Sequence, residues 1–158
     1  REKCVKIAHD ADVECGTGLS GVDAAAIGGI LARRSVEEAP LKLPFEEREI
    51  EIAFFSPIRT STIIGSPDWK RKVNEAGEKA LSKLFAKKNW EGFVAASRHF
   101  TVQSGLGSWC AEEMDRNTRA SMAMLGHTLF SDVPLRLQKH PLALLKTKTY
   151  QGGARLLD

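Results

Sequence analysis

The chain has 158 residues, of which 42% are hydrophobic and 27% charged, proportions that exclude a disordered or fibrous chain and allow an ordinary buried core. A formal net charge of +3 is too small to imply a polyanion partner by itself, because the distribution of charge matters more than its sum. Three cysteines without a CxxC pair exclude a secreted disulfide framework and a zinc ribbon and point to a reducing intracellular setting, cytoplasmic or nuclear. The longest run of apolar or small residues, 24–32, is about half of what a bilayer span needs, so no membrane segment is expected. The opening REKCVKIAHD lacks the layout of a signal peptide and begins without Met. Residues 1–158 are therefore read as a single globular domain, as a processed chain or as a piece of a longer protein.

In chain order, Val5 and Ile7 alternate with Lys3 and Lys6, which predicts a strand with one wet face. After a polar, Gly-rich stretch, Ser20 and Asp23 resemble a helix cap, and Val22, Ala26, Ile27, Ile30 and Leu31 form the apolar stripe of a thin Gly/Ala-rich helix running to about Arg34. Pro40 and Pro44 then predict an extended connector. Ile50, Ile52 and Phe54 alternating with Glu49, Glu51 and Ala53 give the clearest strand. A short strand is expected at 62–64. Ser66 as cap, Pro67 and Asp68 open the clearest helix, which runs to about Lys88 with Trp69, Val73, Ala76, Ala80, Leu81, Leu84 and Phe85 on one face. A strand is expected over 93–102, a helix over 109–125 ending at Gly126, and a last helix over 134–146 interrupted at Pro141. The fold class is α+β, a small mainly antiparallel sheet covered by three or four helices.

Several constellations carry chemistry. Asp10 and Asp12, in "DAD" after an apolar run, resemble the first motif of haloacid-dehalogenase phosphatases, in which the first Asp attacks phosphate and the second serves as acid and base. Glu14 departs from that pattern, and no late acidic pair follows. The segment "ILARRS" resembles the catalytic helix of goose-type lysozymes and lytic transglycosylases, but Arg34 stands where the acid belongs, and an arginine cannot protonate a glycosidic oxygen. Glycines 16, 18 and 21 before a helix suit an anion-binding nest, although neither GxGxxG nor a Walker pattern is present. Cys4, His9, Asp10, Asp12 and Cys15 have ligand chemistry without a familiar metal spacing.

The basic helix is more informative. Residues 66–90 carry seven bases against three acids, a local charge of +4, and Lys70, Arg71 and Lys72 oppose the helix dipole in the first turns. The connector 35–52 has a local charge of −4 and is a candidate partner within the chain. An acidic protein surface or a nucleic-acid backbone is the partner outside it, engaged through Lys70, Arg71, Lys72, Lys83, Lys87 and Lys88.

Cys110 begins "CAEEM" after Gly-Leu-Gly-Ser-Trp. A thiol at a helix start gains acidity from the dipole, and His99 or His127 would complete a thiol-imidazole pair. Against this, Glu112 and Glu113 disfavour a thiolate, and Cys110 shares a helical stripe with Met114, Ser121, Met122 and Leu125, which favours a core cysteine. Two functions follow. The first is a binding or structural domain of a larger protein or assembly, acting through helix 66–90. The alternative is a small intracellular enzyme using Cys110 with His99 or His127. Neither requires a metal, a cofactor or a membrane.

Overall fold

The computed structural model describes residues 2–15, 21–35, 38–57, 63, 65–123 and 127–155. The helices are α1 (Glu2–Cys15), α2 (Gly21–Ile27), α3 (Pro67–Ala86), α4 (Trp90–Ser104) and α5 (Ala111–Arg116), with a 3-10 turn at Ser108–Cys110. The strands are β1 (Ile30–Ala32), β2 (Leu41–Leu43), β3 (Glu49–Phe54), β4 (Ala120–Ala123), β5 (Thr128–Ser131) and β6 (Ala143–Lys148). β1 and β2 form a two-stranded sheet, and the other four lie in the order β4-β5-β3-β6, every pairing antiparallel. The architecture is α+β, as the sequence predicts.

β3 and α3 sit where the sequence places them. Alternation in β3 turns Ile50 and Ile52 toward Trp90, Val94 and Phe130, while Glu49 and Glu51 stand directly opposite Lys148 and Lys146 of β6. Those two cross-strand pairs are ionic, at 3.9 and 3.1 Å. α3 starts at Ser66, whose hydroxyl accepts the Trp69 N–H, and Pro67 needs no hydrogen-bond partner there. Its buried Ala76, Ala80 and Leu84 pack on α4.

Elsewhere the periodicity misleads. The expected strand at 3–8 is part of α1, which packs on α2; alternation over so few positions also fits a helix face, and Glu2 in the first turn suits the dipole. The Gly/Ala-rich helix ends at Ile27 rather than Arg34, because Gly28 and Gly29 adopt φ of +74° and +84° and turn the chain into β1. The expected connector supplies its partner β2, with Leu31 opposite Lys42. The segment 93–102 is helical within α4: Asn89 Oδ1 accepts the Gly92 N–H at 2.9 Å at one end, and Gly105 closes the other at φ +75°. The helix expected over 109–125 stops at Arg116, since Asn117 donates to the Glu113 carbonyl at 2.8 Å and exchanges two further bonds with Arg136. Ser121 and Met122 then lie in β4. The last predicted helix is instead an extended run and β6, where prolines at 134 and 141 deny helical bonds and β3 offers an edge. The Ser20 cap, the Gly126 cap and the 62–64 strand, apart from Ile63, lie outside the described residues.

Two polar clamps tie the layers. Arg98 on α4 aims one terminal nitrogen at the carbonyls of Met114, Asn117 and Ala120, at 3.0, 3.0 and 2.7 Å. Asp132, whose side chain is 4% exposed, receives both Arg48 and Arg119. Burial pushes the Asp132 carboxyl up, but hydrogen bonds from Arg119 and Arg48 outweigh it and hold the group below the ordinary carboxylate range.

Arg98→Leu removes the donor shared by three carbonyls, of which that of Asn117 keeps the Ala120 N–H, and should lower the unfolding free energy by about 2–4 kcal/mol in urea titrations. Because the native Asp132 pKa is depressed, its stabilisation is complete above the unfolded value of about 4 and is lost as pH falls through the native one. Urea midpoints measured from pH 6 down to pH 3 should therefore fall more steeply for the native chain than for Asp132→Asn.

Candidate functional site

α1 and α2 enclose a cleft of about 690 Å³. Lys6 and His9, three residues apart on α1, face Asp23 of α2 and Arg33, just beyond β1; Glu2 and Gly153 complete the charged part and the rim. Asp23 and Arg33 form an ion pair with side chains only 17% and 15% exposed. The Arg33 Nε also donates to the carbonyls of Ser35 and Glu38, at 2.7 and 2.9 Å. The guanidinium is thus held from the backbone side while it faces the carboxylate. A half-buried carboxylate can accept a proton from a hydroxyl, and clustered guanidinium, ammonium and imidazole groups can gather anionic oxygens. A second opening of about 400 Å³, beside β3 and β6, has acids that are already engaged: Glu51 with Lys146 and the Leu135 N–H, and Asp132 with its two arginines.

The residues singled out from sequence are scattered. Cys110 is fully buried among Leu106, Met114, Met122 and Leu129. Its thiol donates to the Gly107 carbonyl at 3.3 Å and touches Met114 Sδ at 3.7 Å, and burial pushes its pKa up to about 11. The described contacts of the His127 ring are Ser56 Oγ and the edge of Trp109, with centroids 4.8 Å apart. His99 lies on α4, where burial and then Lys83 and Lys79 hold its imidazole below the ordinary range. Among the described residues, no hydrogen bond joins Cys110 to either histidine.

Lys70, Arg71, Lys72, Lys83, Lys87 and Lys88 are exposed along and just beyond α3. Arg71 pairs with Asp68 on the same helix, and Lys72 and Lys88 lie over the rings of Trp69 and Phe85. Among the described residues the acidic connector does not cover them; Glu49 and Glu51 pair with β6 instead. Asp10 and Asp12 lie on α1, not at the end of a strand, which removes the placement that the dehalogenase resemblance needs. Cys4 and Cys15, at the two ends of α1, are separated by about 16 Å of helix at 1.5 Å per residue and cannot share an ion. Among the described residues, no group of three or more His, Cys, Asp or Glu side chains is placed to hold a metal. Glycines 16 and 18 lie outside the described residues. No described helix is long and apolar enough to cross a membrane.

Sequence reasoning treated Asp23 only as a cap residue and passed over Lys6 and Arg33. The available signal was the Gly28-Gly29 pair, which, read as a turn, brings Arg33 back toward Asp23.

No family model matches the chain. Pantoate kinase of Methanocaldococcus jannaschii is 34% identical over 156 residues, covering 92% of this chain and 56% of that protein. The chain is similar to pantoate kinases. Pantoate kinase of Methanospirillum hungatei is 28% identical over 138 residues, covering 82% of this chain and 45% of that protein. A solved structure described as a phosphotransferase related to the CoA biosynthesis pathway superposes with a TM-score of 0.66 at 27% identity, covering 82% of this chain and 45% of that one. The chain spans about half the length of the relatives it matches.

These similarities overturn the reading of the chain as a binding or structural domain that recruits an acidic protein or a nucleic acid through helix 66–90. The bases of that helix are a solvated face whose local partners are its own acid and aromatic rings. A nuclear setting draws no support from such relatives.

In thiol titration with iodoacetamide at pH 8, the exposed Cys4 and Cys15 should react promptly and Cys110 only after denaturant is added. Mapping the modified cysteines by mass spectrometry checks this, and prompt labelling of Cys110 would contradict the packing described.

Proposed function

We propose that this chain belongs to a small-molecule kinase that transfers a phosphoryl group from a nucleoside triphosphate to the hydroxyl of a hydroxy acid, with pantoate the first candidate. The observation that carries the reading is the 34% identity to a pantoate kinase across 92% of the chain. The cleft between α1 and α2 supports it, because it combines what an anionic alcohol needs: a carboxylate at Asp23 and positive or imidazole groups at Lys6, His9 and Arg33.

In this reading Asp23 takes the proton of the attacking hydroxyl. The hydroxyl oxygen forms the new bond to the γ-phosphorus while the bond to the bridging oxygen breaks, and the nucleoside diphosphate leaves. Arg33 orients Asp23, and Lys6 and His9 hold the substrate carboxylate. The thiol-imidazole alternative draws less support, since burial raises the Cys110 pKa and the imidazoles have other neighbours. That residues 1–158 fold as one globular unit in an intracellular setting is part of the same proposal.

The test is nucleotide diphosphate release by the full-length protein with ATP and a panel of hydroxy acids including pantoate. Release stimulated by pantoate is expected, and Asp23→Asn should lower kcat by about 100-fold or more, while Lys6→Ala mainly raises KM. Release that no hydroxy acid stimulates overturns the kinase reading. An unchanged kcat in Asp23→Asn overturns the assignment of the base.

A further inference from the structure

We infer that residues 150–155 form a strap that fixes the α2–β1 turn and thereby positions the Asp23 and Arg33 pair at the cleft; the catalytic meaning of that pair rests on the kinase reading above. The strap is bonded on two sides. Toward the turn, the Gly29 N–H donates to the Tyr150 carbonyl at 2.9 Å and the Ala154 N–H donates to the Ala25 carbonyl at 2.7 Å. Toward the β2–β3 segment, Lys42 donates to the Gln151 carbonyl at 2.8 Å, the Gln151 N–H donates to Glu47 at 3.0 Å, and the Gln151 side-chain amide donates to the Phe45 carbonyl at 2.6 Å.

Between these bonds the two backbones cross with no room for a side chain. A Cβ on Gly28 would lie 2.1 Å from the Gly152 carbonyl oxygen, and Gly28 already holds a φ of +74° that disfavours any other residue. The crossing falls inside the short stretch that joins Asp23 to Arg33. The Ala25 carbonyl is bound by the strap two residues after Asp23, and the Gly29 N–H is bound four residues before Arg33. Gly153, within the strap, forms part of the cleft rim. A shift of the strap therefore moves the turn, and the turn sets how the carboxylate and the guanidinium meet. Residues 150–155 act on the chemistry through this pair, so they are positioning residues.

Two single variants and their combination test this in the full-length protein. Ala154→Pro removes the donor to Ala25, and Gly28→Ala drives a Cβ into the Gly152 carbonyl. In Ala154→Pro, loss of one hydrogen bond should speed amide exchange at Gly29 by about tenfold. The kcat should fall about fivefold or more with the KM for the hydroxy acid within about twofold, because the base and its orienting arginine are displaced while Lys6 and His9, which hold the substrate carboxylate, keep their places on α1. The double variant should be little worse than Gly28→Ala alone, since both act through one crossing. Unchanged exchange at Gly29 overturns the strap. Faster exchange with unaltered KM and kcat overturns its positioning role. Where Gly28→Ala does not fold, Ala154→Pro carries the test alone. If the native protein phosphorylates no hydroxy acid, the kinase reading fails separately, and the rate at which phenylglyoxal modifies Arg33 decides the positioning claim: faster modification in Ala154→Pro supports it, and an unchanged rate overturns it.

Discussion

The four-stranded sheet depends on β3 being paired on both sides. β5 binds one edge over four residues and β6 the other over six, so the strand's two faces must each find a partner of matching polarity. Ile50 and Ile52 meet the aromatic cluster of Trp90, Phe93 and Phe130, and the glutamates meet the lysines of β6. Moving the register of β3 by one residue would bury glutamates against those rings and expose the isoleucines. The position of α4 on the sheet, and through it that of α3, follows from this choice.

That choice was legible in the sequence because a strict alternation of isoleucine and glutamate has few other solutions. The same holds for α3, where a cap, a proline and a seven-residue apolar stripe agree with one another. Legibility failed where one signal stood alone. Val5 and Ile7 alternate too briefly to separate strand from helix, and the Phe-Thr-Val run in α4 has strand-like side chains that tertiary packing overrides. Gly28 and Gly29 look like a thin patch of helix until the left-handed backbone and the Gly152 carbonyl are seen beside them. Asn117 ends a helix through side-chain bonds to Arg136, nineteen residues away, a partner no local pattern reveals.

The candidate site was nearly illegible for the same reason. Its charged groups come from α1, α2 and the residue after β1, and each is an ordinary surface-type side chain in its own segment. What distinguishes Asp23 and Arg33 is their mutual burial, which exists only after the glycine turn has formed. The conspicuous features, a buried thiol and a lysine-rich helix, are explained by packing and solvation. Burial suppresses the reactivity of Cys110, whereas partial burial gives the ion pair its fixed geometry.

The crossing of Gly28 and Gly152 also bears on the order in which the molecule assembles. It joins segments that other bonds in the same region connect across 109 residues, so its loop-closure cost is met only after nearly the whole stretch has been made. During synthesis the helical hairpin of α3 and α4 can form early from local contacts, while the α2–β1 turn still lacks the strap. The clamp on the α2–β1 turn is therefore set at a late stage of folding, and a chain interrupted before residue 150 would keep much of its core and lack the crossing that fixes that turn.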